Sequence, residues 1–148
     1  MKTFTQNKDL YLWNSFTNEF GDGEYEESKT ILTSQETEKK MTGQEILDTL
    51  KPKIVTLGEV YNTLQTADKE SYSLFFVKDK NGSIFVVYAS WSSDYRRWFV
   101  YARDLSDEWN AGSRVFSSNM NLGLEQAIKI CKNNGLRVLK TVTSEVEL

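Results

Sequence analysis

Apolar positions change period along this chain, from helical spacing in the first half to strand alternation in the second. Leu10, Trp13 and Phe16 recur at helical spacing, with Asn7 placed as a cap and Gly21 as a stop, so a helix is predicted over about 8–20. Residues 29–41 are polar, with Glu36, Glu38, Lys39 and Lys40, and read as a connector or an exposed helical turn. Thr42-Gly43-Gln44-Glu45 is a capping box ahead of Ile46, Leu47 and Leu50, and that helix should close before Pro52. Thr56-Leu57-Gly58-Glu59 repeats the pattern, and Leu57, Val60, Tyr61 and Leu64 form one apolar face over about 57–66.

From Tyr72 the pattern is that of strands. Leu74 to Val77 and Ile84 to Ala89 flank Asn81-Gly82, a pair suited to the positive φ angles of a two-residue type I′ turn, which predicts a hairpin. A strand from Arg96 to Arg103 follows the loop Ser92 to Tyr95, and another from Ser113 to Ser117 follows Asp104 to Gly112. A helix over about 121–133 would turn Leu124, Ala127, Ile128 and Cys131 inward and stop at Gly135, before a last strand from Arg137 to Val142. The expected fold is α+β: an antiparallel meander of four to five strands packed against two or three short N-terminal helices and one C-terminal helix. The chain reads as one domain over 1–148, helical and acidic over 1–70 and β-rich and slightly basic over 71–148.

Closure at Asn81-Gly82 would pair Val77 with Val86 and Phe75 with Tyr88, and a four-residue loop from Ser92 to Tyr95 would pair Ala89 with Trp98 and Tyr88 with Phe99. The sheet then sorts into two sides. One gathers Leu74, Phe76, Phe85, Val87, Ala89, Trp98, Val100 and Ala102 and is the expected core side. The other gathers Phe75, Val77, Val86, Tyr88, Ser90, Arg97, Phe99, Tyr101 and Arg103 and is amphipathic. Either the N-terminal helices cover this second side, the commoner fate of rings on a sheet, or it stays open as a patch that calls for a partner.

Composition narrows the chemistry. The 148 residues, 39% hydrophobic and 26% charged, suffice for a buried core. Histidine is absent and Cys131 is the single cysteine, so there is no Ser-His-Asp or Cys-His arrangement, no internal disulfide and no common His- or Cys-based metal site. No cofactor is expected. The acidic stretch Gly21 to Ser28 lacks the ligand spacing of a calcium loop and reads as a solvated loop. No apolar run approaches the ~20 residues of a membrane span, no signal-peptide pattern opens the chain, and cytoplasmic residence is the expectation.

Net charge is −3 but uneven: residues 1–70 carry 8 Lys/Arg against 13 Asp/Glu, and residues 71–148 carry 10 against 8. Residues 72–116 hold 12 of the 19 aromatic residues and four of the five arginines. Rings and guanidinium groups give contact energy at low ordering cost, so the sequence points to a small non-enzymatic adaptor, regulator or inhibitor that binds another protein. The candidate contact residues are Trp91, Tyr95, Arg97, Tyr101, Arg103 and Trp109. Two other classes compete with this one. Single-stranded nucleic acid could stack on Tyr88, Phe99 or Tyr101, and a carboxylate- or magnesium-based hydrolase would need Glu59, Asp104, Asp107 and Glu108 to converge. As a compositional impression, the small size and the lysine- and asparagine-rich vocabulary suit a viral or mobile-element accessory protein.

Overall fold

A computed structural model of the chain describes residues 1–120 and the strands Leu139–Val142 and Ser144–Glu147. In chain order the elements are β1 (Lys2–Thr3), β2 (Leu10–Leu12), α1 (Asn14–Phe20), β3 (Glu24–Tyr25), β4 (Thr33–Glu36), β5 (Met41–Thr42), α2 (Gly43–Thr49) and α3 (Leu57–Leu64). They continue with β6 (Ser73–Lys78), β7 (Ile84–Ser92), β8 (Arg97–Arg103), β9 (Glu108–Trp109), β10 (Arg114–Ser117), β11 (Leu139–Val142) and β12 (Ser144–Glu147). The fold is mixed α and β around a six-stranded sheet ordered β2-β8-β7-β6-β10-β4.

The two capping boxes form as the sequence predicts. Thr42 Oγ1 accepts from the Glu45 amide at 3.1 Å and Thr56 Oγ1 from the Glu59 amide at 3.1 Å, while each glutamate accepts the cap residue's own amide. Helix α2 ends ahead of Pro52, where Lys51 takes a positive φ of 52°. Gly21, with φ of 59°, ends α1. That helix is shorter than predicted, because Leu10–Leu12 is not helical. It runs parallel to β8, pairing Leu10 with Trp98 and Leu12 with Val100. The connector at 29–41 likewise holds the strand β4, so the first half is not purely helical.

The antiparallel meander is confined to β6, β7 and β8. Strand β10 pairs in parallel with β6 and antiparallel with β4. Parallel partners need a crossover, and the link from Asp104 supplies it across one sheet face, where β9 pairs with β5. Of the predicted C-terminal elements, Leu139–Val142 is a strand paired with β12, whereas the helix at 121–133 and its stop at Gly135 lie outside the described residues.

Register differs from expectation at both turns. In the first, Asp79 pairs with Ser83: its amide donates to the Ser83 carbonyl at 2.9 Å, and its Oδ1 accepts the Asn81 and Ser83 amides at 2.9 Å each. Gly82 alone takes positive φ, +85°. This is a three-residue turn with a glycine bulge in place of the two-residue closure. Pairing shifts by one, to Phe75 with Val87 and Leu74 with Tyr88, which exchanges the two faces of β6. At the second turn the loop is Ser93 to Arg96 and pairing moves by two, to Trp91 with Trp98 and Tyr88 with Tyr101, so β7 and β8 keep their predicted faces.

Each sheet face therefore has its own core. On the first, Phe75, Val77, Val87, Ala89, Trp98, Val100 and Ala102 pack with Phe16 and Phe20 of α1 and Val60 and Leu64 of α3. Here α3 approaches backbone to backbone: a Cβ on Gly58 would stand 2.0 Å from the Glu26 carbonyl oxygen. On the second face, Leu74, Phe76, Val86 and Val115 pack with Ile46 of α2, Met41 of β5 and Trp109 of β9. No helix among the described residues is long and apolar enough to cross a membrane.

Candidate functional site

Among the described residues, the second sheet face is covered over β10, β6 and part of β7 and left open over the rest of β7, over β8 and over β2. The boundary runs along Tyr88. Its ring meets the buried Trp109 edge-on at 4.7 Å on the covered side, and on the open side it lies parallel to Tyr101, 4.5 Å away and 10° apart in plane. Tyr101 in turn has Trp13 over its other face, 5.2 Å away and 17° apart. Phe99, the next residue on this side of β8, meets Tyr11 at 5.2 Å, Tyr95 at 5.8 Å and Trp13 at 6.1 Å. Tyr72 adds a ring 5.8 Å from Tyr88. Aromatic contact is thus continuous from the buried Trp109 to the exposed Tyr95.

Strand alternation explains why these rings share a face. Leu10 and Leu12 enter the first core, so Tyr11 between them must point the other way, beside its partner Phe99. Four members of this face are strongly exposed: Trp13 at 42%, Tyr11 at 45%, Tyr72 at 50% and Tyr95 at 67%. Burying one such ring removes about 150–250 Å² from water, so leaving several out on one face carries a standing hydrophobic cost.

At the β2 end the rings enclose a recess of about 360 Å³ lined by Tyr11, Trp13, Tyr95, Arg97 and Phe99. Arg97 is half-buried there. Its Nε is inaccessible to water, and among the described residues it has no hydrogen-bond partner and no acid within ion-pair reach. Arg103, at the other end of β8, is exposed and its Nε stands 3.6 Å from Asp107 Oδ2.

Burial pushes the Tyr88 hydroxyl above its usual range, with Arg103 opposing and the Tyr101 hydroxyl adding to the shift. Tyr101 is raised as well, first by burial and then by Tyr72.

Of the six residues nominated from sequence, the fold brings Tyr95, Arg97, Tyr101 and Arg103 onto this one face. Trp91 lies on the opposite side, edge-on to Trp98 at 5.5 Å, with Lys69 Nζ 4.0 Å from its ring centroid. Trp109 is a buried core residue of β9. Tyr11 and Trp13 were not nominated, because the spacing of Leu10, Trp13 and Phe16 suggested a helix. The alternation Leu10-Tyr11-Leu12-Trp13 carried the strand signal that would have found them.

A larger recess, about 640 Å³, lies elsewhere, between Glu24 to Ser28, Ile54 to Gly58 and Val77 to Lys80. Its rim mixes glutamates and lysines. The four acids named for hydrolysis are engaged separately: Glu59 caps α3, Asp104 accepts from the Ser106 amide at 2.8 Å, Asp107 pairs with Arg103, and Glu108 stands 3.7 Å from Lys40. Among the described residues no group of three or more His, Cys, Asp or Glu converges as a metal site. In comparison with known proteins, the chain matches no family model, no curated protein and no solved structure.

Proposed function

We propose that this chain works by binding another protein on the open aromatic face of β2, β7 and β8. The observation that carries the reading is the way the rings are used. Tyr101 has Tyr88 over one face and Trp13 over the other, so Tyr101, at the centre of the face, keeps no free π-face for a base to stack on. Rigid rings with polar rims, flanked by Arg97 and Arg103, supply the contact area and hydrogen-bonding groups typical of protein-binding hot spots. Preorganised stacking also lowers the ordering cost of association.

The test is selection of peptides from a random display library on the immobilised full chain, followed by binding measurements on variants. Selected peptides should bind Trp13→Ala and the Tyr101→Ala plus Arg103→Ala double variant about tenfold more weakly, and Trp91→Ala unchanged. Retained binding by the folded double variant would sink the reading.

Single-stranded nucleic acid is the second reading, and Tyr95 favours it. Two-thirds exposed and near Arg97, that ring could take one base. Oligonucleotide affinity that did not fall with added salt would count against it.

A further inference from the structure

The recess at the β2 end has a chemistry of its own. Four of its five lining side chains are aromatic, and the fifth, Arg97, brings a positive charge into an apolar surround. An arginine in such a place is ordinarily matched by a carboxylate, because its fork of donors loses water and needs acceptors. Among the described residues nothing matches it. No acid stands within ion-pair reach, its guanidinium is not seated over a ring, and only its Nε is closed to water without a partner, so an incoming group meets the guanidinium at its terminal nitrogens. Arg103 differs, since Asp107 already holds it. Arg114 differs too, with Asp68 Oδ2 3.1 Å from its Nη2 and Glu36 Oε1 3.7 Å from its Nε.

A volume of about 360 Å³ accommodates an apolar side chain together with a neighbouring carboxylate, and lies within the range of ligand-binding clefts. Resting on the protein-binding reading, we infer that this recess recognises an acidic segment of the partner protein, in which a carboxylate meets Arg97 and an adjacent apolar side chain enters between Tyr11, Trp13, Tyr95 and Phe99. Charge complementarity selects this occupant, since a basic segment would place like charge against Arg97. Neutral apolar segments would leave the guanidinium donors unmatched.

The experiment follows side-chain nitrogen signals of the full chain by NMR, reading the Arg97 Nε–H, identified by its loss in Arg97→Lys, and the Trp13 indole. The probes are a short, terminally blocked peptide alternating glutamate and leucine, its glutamine counterpart, its lysine counterpart, and oligothymidylate. The glutamate peptide should shift both signals and leave the Trp91 indole in place. Glutamine for glutamate should weaken binding about tenfold, and Arg97→Lys should do the same by removing the fork while keeping the charge. Equal binding of the glutamate and glutamine peptides at these signals would overturn the carboxylate assignment and leave protein binding by the face standing. No shift at Arg97 with any peptide, or Arg97-dependent binding of oligothymidylate tighter than that of the glutamate peptide, would overturn it as well.

Discussion

Tyr88 and Tyr101 sit directly opposite each other across β7 and β8, and their rings stack with centroids 4.5 Å apart. The pair joins a buried core to an open surface: Tyr88 leans on Trp109, and Tyr101 carries Trp13. Removing either ring should therefore affect both sides of that boundary. Tyr88→Ala is expected to cost about 2–4 kcal/mol and Tyr101→Ala, nearer solvent, about 1–2 kcal/mol in urea unfolding. A double-mutant cycle should return a coupling of about 0.5–1.5 kcal/mol; additive losses would show that the stacking contributes nothing.

Alkaline pH should weaken the fold through the same residues. Tyr61, Tyr88 and Tyr101 all have hydroxyls raised above the ordinary value of 10.0, with burial as the leading cause. A phenol raised on folding ionises first in the unfolded chain. Its contribution is intact below pH 10 and is lost as pH climbs through the ordinary value toward the folded one. Urea midpoints should hold up to that point and then fall, and the fall should be shallower in Tyr88→Phe and Tyr101→Phe. An unchanged slope in both variants would place the alkaline sensitivity elsewhere.

Gly58 should tolerate no side chain. Alanine is the better helix former by about 1 kcal/mol, so a gain would be expected at an open helical site. Here the added carbon would meet the Glu26 carbonyl at 2.0 Å, and backbone must give way. Gly58→Ala is expected to destabilise by about 2–4 kcal/mol net, read as a lower thermal midpoint. At Gly43 the nearest atoms stand at 3.1 and 3.2 Å, from Val86 and the Leu105 backbone, and the loss should be smaller.

The capping threonines offer a cleaner comparison, since both boxes are formed and exposed. Thr42→Ala and Thr56→Ala are each expected to cost about 0.5–2 kcal/mol, and Thr→Ser about half of that or less. Because Thr56 starts the helix that packs in the first core and Thr42 the helix on the second, their losses should add. Chemical denaturation of the single and double variants measures this.

Local chemistry was the most legible part of the sequence. The boxes at Thr42 and Thr56, the stop at Gly21, the break before Pro52 and the alternation of β7 and β8 depend on neighbours within a few residues. Most of what escaped depends on distant partners; the exception is the turn from Asp79 to Ser83, where local bonds set a three-residue closure in place of the expected two-residue one. Leu10 to Leu12 form a strand only because the edge of β8 is there to receive them, and β10 joins β6 because a crossover carries it past the meander. The open face was readable in part: Tyr101, Arg97 and Arg103 followed from alternation on β8, whereas Tyr11 and Trp13 come from the opposite end of the chain. Trp109 looked like a loop aromatic until β9 was seen to pair with β5.

The glycine bulge at Gly82 bears on how the chain folds. Strand β6 reads Ser73-Leu74-Phe75-Phe76-Val77-Lys78, with two large apolar side chains for either face, so burial alone scarcely distinguishes the native pairing from one slipped by a residue. Asp79 and Gly82 decide it locally, through carboxylate-to-amide bonds that need no distant element. Hairpin nucleation at this turn would therefore act as the proofreading step of assembly: a nascent hairpin closed one residue short would still collapse, but would aim Phe75 and Val77 at the wrong layer and have to reopen before α2 and α3 could dock.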